Sequence, residues 1–201
     1  MAGKLFGHNQ LILASGSPRR RELLERLGIV FRVLVAGIDE TSSETNPSQL
    51  VQSLALEKAR AVAKLEPEAV ILAADTTVAI GESILNKPSS IAENAEFIRQ
   101  LSGNWHEVYT GICFALPKLE YIVAVEQTRV KFRALSNAEI LGYAQSGEGL
   151  DKAGGYGIQA LGMALVERIE GDYFNVVGLP IARMLEVAQE IKLQLLPWVK
   201  P

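Results

Sequence analysis

Leu11-Ile12-Leu13-Ala14-Ser15-Gly16-Ser17-Pro18-Arg19-Arg20-Arg21 decides the reading of this chain. The apolar run at its start has the length of a buried strand, and Leu23, Leu24 and Leu27 beyond it follow helical spacing. Two hydroxyls, a glycine and three arginines therefore lie where a strand turns into a helix. Ser17 suits the N-cap, and Pro18 suits the first helical position because it lacks the N–H that would go unbonded there. The exposed N–H groups and the positive end of the helix dipole favour an anion in front of the helix. Arginine at this end opposes the dipole, so three in succession call for an anionic partner, and phosphate suits the place. An ordinary capped helix with solvated arginines uses the same residues, and this stretch alone leaves both readings open.

Composition narrows the setting. A chain of 201 residues fits one domain and can bury a real core. It is 48% hydrophobic and 21% charged, as soluble globular proteins are. The net charge of -3 argues against broad nucleic-acid binding, so an anion must be met by a local cluster of cations. Cys113 is the one cysteine, sits in an apolar run and has no partner for an internal disulfide. The first ten residues hold no long apolar segment, and no stretch approaches the ~20 apolar residues of a membrane span. The expectation is a cytoplasmic protein with neither nucleic acid nor membrane as partner.

Working outward, strands and helices interleave. Strands are predicted at 11–14, 31–35, 69–73 with a continuation at 77–80, 108–116, 121–132 and 163–169. Helices are predicted at 18–27, 48–65, 91–101, 136–145 and 180–195. Pro117-Lys118-Leu119-Glu120 can turn between two long strands, which predicts an antiparallel hairpin. Ser136 with Glu139 forms a capping-box pattern. No repeat or linker divides the chain, so residues 1–201 read as a single α/β domain with a mixed sheet, helices packed around it and a cleft.

Four polar clusters end the apolar elements. Asp39-Glu40 is either solvated loop or a source of carboxylate oxygens for magnesium. Glu57-Lys58 lies on a helix among Ala55, Ala59 and Ala63, small neighbours that let a ligand or another element come close. Asp75, in Ala-Asp-Thr after a buried strand, stands where α/β proteins place ligands; it suits a general base, a metal ligand or a simple Asx turn. The run 146–159 carries five glycines around Tyr156, Ile158 and Gln159, which favours an ordered ligand-binding loop over a flexible one. Lys87, before Pro88, adds another cation in a fixed turn. There is no zinc pattern, no GxxxxGK[ST] loop and no GxGxxG after a strand. Arg19, Arg20, Lys58 and Lys87 against Glu40 and Asp75 make an inventory for a triphosphate with Mg²⁺ and an activated water.

Taken in order, these segments resemble the Maf family of nucleoside triphosphate pyrophosphatases along nearly the whole chain. The resemblance rests on Ala14–Arg20, Asp39-Glu40, Glu57-Lys58-Ala59, Ala74-Asp75-Thr76, Lys87-Pro88, Leu101-Ser102-Gly103 with 106–111, 151–159 and 175–180. It implies an elongated mixed sheet flanked by helices, two lobes with a central cleft, and family members that are often dimers. It implies hydrolysis of a nucleoside triphosphate to monophosphate and pyrophosphate by metal-assisted water attack on the α-phosphorus. Asp75 is then the proton acceptor, and Glu40 and Asp75 hold a divalent cation, Mg or Mn. Arg19, Lys58 and Lys87, with Arg20 assisting, bind phosphate, and Ser15 and Ser17 hydrogen-bond it. Arg19, Thr76 and Gln159 match the subgroup that prefers dTTP and UTP, normal or modified. Gln159 offers a donor and an acceptor to the O4/N3 edge of the base. The N7-methyl-GTP subgroup carries Trp, Gln and Glu at these three places. Loss of Asp75 would instead mark a non-catalytic regulator of septum formation. Asn86 and Ala160 stand where the family commonly has glycine.

Overall fold

The computed structural model describes residues 11–38 and 42–199. Asp39 and the predicted metal ligand Glu40 lie outside the described residues. The first third of the chain holds β1 (Leu11–Leu13), α1 (Pro18–Arg26), β2 (Phe31–Val33) and α2 (Pro47–Leu65). The middle holds β3 (Val70–Ile80), β4 (Ser83–Leu85), α3 (Ile91–Leu101), β5 (Trp105–Leu116) and β6 (Glu120–Phe132). The chain closes with α4 (Asn137–Gln145), β7 (Val166–Glu170), α5 (Tyr173–Val177) and α6 (Ile181–Glu190).

Seven strands form one mixed sheet in the order β2-β1-β3-β5-β6-β7, with β4 added on β3. β1 pairs in parallel with β2 and β3, whereas β3–β5, β5–β6, β6–β7 and β3–β4 are antiparallel. The sheet separates two apolar layers, because alternate side chains of a strand point to opposite faces. On one face α2 packs Ala55, Ala59 and Val62 over Ile71, Ala73, Cys113 and Ala115. On the other, residues of α1, α3, α4 and α6 cover Leu72, Ala74, Ile112 and Phe114.

Local signals act where they are expected. Ser17 caps α1, accepting from the Arg20 amide, with Pro18 opening the helix. Ser136 and Glu139 form the capping box of α4. The hairpin turns between Leu116 and Glu120. β3 runs through Asp75-Thr76 without a break, because β5 pairs with it from Ile71 to Ala79.

Two predictions need correction. The strand expected at 163–169 begins only at Val166. Its first part is a 3-10 turn, Leu161–Ala164, where the amides of Leu161 and Gly162 donate to the Glu148 carboxylate. The closing helix ends at Glu190 rather than 195, as Lys192 takes a left-handed φ of 57° and the Leu193 amide turns back to Ala188 O. The short elements β4 and α5 carry too few residues to show a period in the sequence.

Candidate functional site

β3 has an unusual edge. β5 covers one side of it, so β1 and β4 share the other: β1 pairs with 70–72 and β4 with 78–80. Between them, residues 73–77 have no strand on that side among the described residues. Such a change of neighbour opens a crevice at the strand ends, where α/β proteins bind ligands. Asp75 and Thr76 lie at this gap.

Two cavities meet there. One, of about 450 Å³, is lined by the 14–20 turn, Lys58, the 151–159 loop and Gly178. The other, of about 640 Å³, lies towards Glu44, Leu50, Leu54 and Glu82. Asp75, Thr76, Lys87 and Ala153 border both. Ser15, Ser17, Arg19, Arg20, Lys58, Asp75, Thr76, Lys87 and Gln159 all line the first cavity. The predicted site residues, apart from Glu40, are thus brought together.

Asp75 points to the α2 face of the sheet, two residues on from buried Ala73. Lys58 Nζ reaches its Oδ1 at 2.6 Å, and both side chains are largely buried, 14% and 13% exposed. Lys58 follows Val51 by two helical turns, so it extends the stripe of α2 that faces the sheet. Gly111, the cross-strand partner of Asp75, lets the helix lie this close. A Cβ there would meet the Val51 carbonyl carbon at 2.5 Å. The sequence marks this contact only by the alanines flanking Lys58.

The turn before α1 is built from hydroxyls and amides. Ser15 Oγ accepts from the Ser17 amide at 3.2 Å and from Arg20 Nη1 at 3.0 Å. Both of its acceptor positions are then taken, which leaves its O–H as a donor toward the cavity it lines. The adjacent arginines diverge. Arg19 Nη1 stands 3.4 Å from the Asp151 carboxylate, across the cavity from the turn. Arg20 is buried and donates to Gly178 O, Ser15 Oγ, Ala74 O and Thr76 Oγ1. Its Ala74 contact meets a carbonyl in the gap of β3.

The glycine-rich segment is ordered. The Glu148 carboxylate accepts from Tyr143 OH, Leu161 N and Gly162 N. Buried Asn94 donates to Gly155 O at 2.7 Å, and the Gly154 amide donates to Asn86 O in the turn that carries Lys87. Asp151 and Lys152 also line the first cavity, and their 2.5 Å ion pair sets two more charges there. Neither is a predicted site residue; their signal in the sequence is only membership of the 151–159 segment.

Beneath the loop, His106 Nε2 and Tyr156 OH are 2.8 Å apart, and both rings pack edge-on against Phe132. Burial pushes the His106 imidazole down to about 3. Its folded value lies below its unfolded one, so its contribution is complete above pH 6.5 and falls as the unfolded chain takes up a proton that the folded chain refuses. By pH 4 the loss amounts to ~3 kcal/mol. His106→Gln should therefore flatten the fall of the urea midpoint between pH 7 and pH 4. Parallel curves for variant and wild type would remove His106 as the cause.

The donor chemistry at Asp75 fits a hard divalent cation. Mg²⁺ is commonly held by one or two carboxylates together with substrate phosphates, and this carboxylate borders two cavities. Among the described residues, no three carboxylate, imidazole or thiolate groups converge on one point. Of the two predicted ligands, Asp75 is the one among the described residues. Among the same residues no helix is long and apolar enough to cross a membrane.

Similarity to known proteins extends over nearly the whole chain. The family model described as Maf-like protein matches residues 10–191. A protein of Deinococcus radiodurans named dTTP/UTP pyrophosphatase is 58% identical over 178 residues, covering 89% of this chain and 91% of its own. One of the same name from Thermoanaerobacter sp. (strain X514) is 46% identical over 180 residues, covering 89% and 94%. A third, from Bacillus cereus (strain AH820), is 46% identical over 185 residues, covering 92% and 96%. Among solved structures, the Staphylococcus aureus Ham1 protein aligns over 62% of this chain and 72% of its own, with a TM-score of 0.46 and 16% identity.

Proposed function

The chain belongs to the Maf-like protein family, and we propose that it hydrolyses dTTP and UTP to the nucleoside monophosphate and pyrophosphate. The observation that carries this reading is the meeting of Asp75, Lys58 and the 14–20 turn at one gap in the sheet, with Gln159 on the same cavity wall. The names borne by its relatives at 46% and 58% identity support the choice of substrate.

In this reading the triphosphate lies against the Ser15–Ser17 turn. The Ser15 hydroxyl donates to a phosphate oxygen, Ser17 adds a second hydroxyl, and Arg19 and Lys87 supply charge from opposite walls. Lys58 holds the Asp75 carboxylate through its 2.6 Å contact. Asp75 takes the proton as water attacks the α-phosphorus. A P–O bond forms, the α–β phosphoanhydride breaks, and pyrophosphate leaves. Gln159 pairs with the O4/N3 edge of the base through one donor and one acceptor. Asp75 and Glu40 would hold a divalent cation, which would neutralise phosphate charge.

Product analysis tests this directly. With dTTP or UTP and Mg²⁺, the expected products are pyrophosphate and the monophosphate in equal amounts. Release of single orthophosphate would place the cleavage at another bond. Preference for N7-methyl-GTP over dTTP would overturn the assignment of the base pocket.

A further inference from the structure

The first cavity is joined to the core by a chain of hydrogen bonds whose direction can be worked out. Thr110 Oγ1 donates to the Asn175 carbonyl at 3.1 Å, since a carbonyl cannot donate. The Thr110 proton is therefore committed, and its 2.9 Å contact with Thr76 Oγ1 must receive the Thr76 proton. Thr76 Oγ1 in turn accepts from Arg20 Nη2 at 2.9 Å. The order is Arg20 to Thr76 to Thr110 to Asn175 O. Asn175 is itself anchored, its Nδ2 donating to Val108 O at 2.9 Å and Thr128 Oγ1 at 3.0 Å. Thr110, Thr128 and Asn175 are fully buried.

At its outer end, Arg20 ties three separate segments together. Nε donates to Gly178 O at 2.7 Å, and Nη1 donates to Ser15 Oγ at 3.0 Å and to Ala74 O at 2.9 Å. With Nη2 on Thr76, four of the five guanidinium N–H donors are committed to protein acceptors. This is the geometry of a brace: it sets the phosphate-facing turn against β3 at Ala74 and Thr76, the residues on either side of Asp75.

We propose that Arg20, Thr76, Thr110 and Asn175 form a one-directional buried relay, and that Arg20 and Thr76 are positioning residues which hold the Ser15 turn against the Asp75 strand. The subgroup-marking positions in the cavity, Arg19, Thr76 and Gln159, then act differently: Gln159 reads the base, whereas Thr76 sets the position of Arg20. A longer amide in place of Thr76 would need a different brace. The proposal rests on the pyrophosphatase reading for its kinetic test, and its spectroscopic test stands apart from that reading.

The kinetic test compares Thr76→Val, Thr110→Val, their double variant and Thr110→Ser, with dTTP as substrate. Thr110 lines neither cavity, so it reports on the relay without touching the nucleotide. Thr110→Val should lower kcat about tenfold with KM within about threefold, as small misplacement of catalytic groups does. The double variant should be no slower than the slower single one, as for residues that act as a unit. Thr110→Ser should restore kcat. Wild-type kinetics in Thr110→Val, multiplying losses in the double variant, or a raised KM with unchanged kcat in Thr76→Val would each overturn the relay.

The spectroscopic test follows solvent exchange of the Arg20 Nε proton in ¹⁵N-labelled protein without nucleotide. Exchange at least about tenfold faster in Thr110→Val and in Thr76→Val is expected, because loosening a buried brace exposes its donors. Unchanged exchange in both overturns the proposal. If the wild type releases no pyrophosphate from dTTP or UTP, the functional reading fails and this measurement still decides the relay.

Discussion

Asp75→Asn is expected to lower pyrophosphate release from dTTP by about a thousandfold, within the range by which a general base accelerates proton transfer. The substitution keeps the shape of the side chain and removes its capacity to take a proton. The fold should persist, since β5 pairs with β3 from Ile71 to Ala79, through this position, and the Asp75 side chain belongs to neither apolar layer. Circular dichroism and the thermal midpoint report on the fold, and a coupled pyrophosphate assay reports on turnover. KM should change far less than kcat, because the proposed function assigns the phosphates to Ser15, Arg19 and Lys87. Turnover equal to wild type would remove Asp75 from the chemistry.

Gly149→Ala is expected to be the most damaging small substitution in the cavity loop. A Cβ at 149 would lie 2.6 Å from the Gly155 carbonyl carbon and 2.8 Å from Asn94 Oδ1. The first neighbour is backbone. The second belongs to a buried side chain already donating to that same carbonyl, so neither can swing aside. Overpacking of this kind costs on the order of 3 kcal/mol. For a chain of this size, that lowers the melting temperature by roughly 10 °C. The segment from 149 to 155 leads directly into Tyr156, Gly157 and Gln159 on the cavity wall. KM for dTTP should therefore rise along with the loss of stability. An unchanged melting temperature would show that the loop can move aside, against the packing described above.

Much of the fold was legible because its signals are local. The Ser17 and Ser136 caps act over three residues, and the Pro117–Leu119 turn joins strands that are neighbours in the chain. The long periods of α2 and α3 give their helices directly. The segment 161–164 misleads for a nonlocal reason: the acceptor that curls it is the carboxylate of Glu148, thirteen and fourteen residues away. The closing helix was overextended because the apolar pattern continues through Leu193 and Leu195 after the backbone has turned at Lys192.

The sequence by itself determined the class of chemistry. Hydroxyls and arginines at a strand-to-helix turn, an acid after a buried strand and a glycine-rich loop ending in Gln159 could be recognised in order, and their side-chain types limit what they bind. Only the tertiary structure decided how neighbouring residues divide the work. Arg19 faces Asp151 across the cavity, while Arg20 turns inward to partners 54, 56 and 158 residues distant. No pattern in 18–21 distinguishes them, because a helix sends successive residues about 100° apart and what each meets depends on the rest of the fold. The same holds for Asp75. Its type is in the sequence, which places it after a strand; the structure sets it inside β3, and the gap beside it exists only because β1 and β4 stop short of one another on the same edge of that strand.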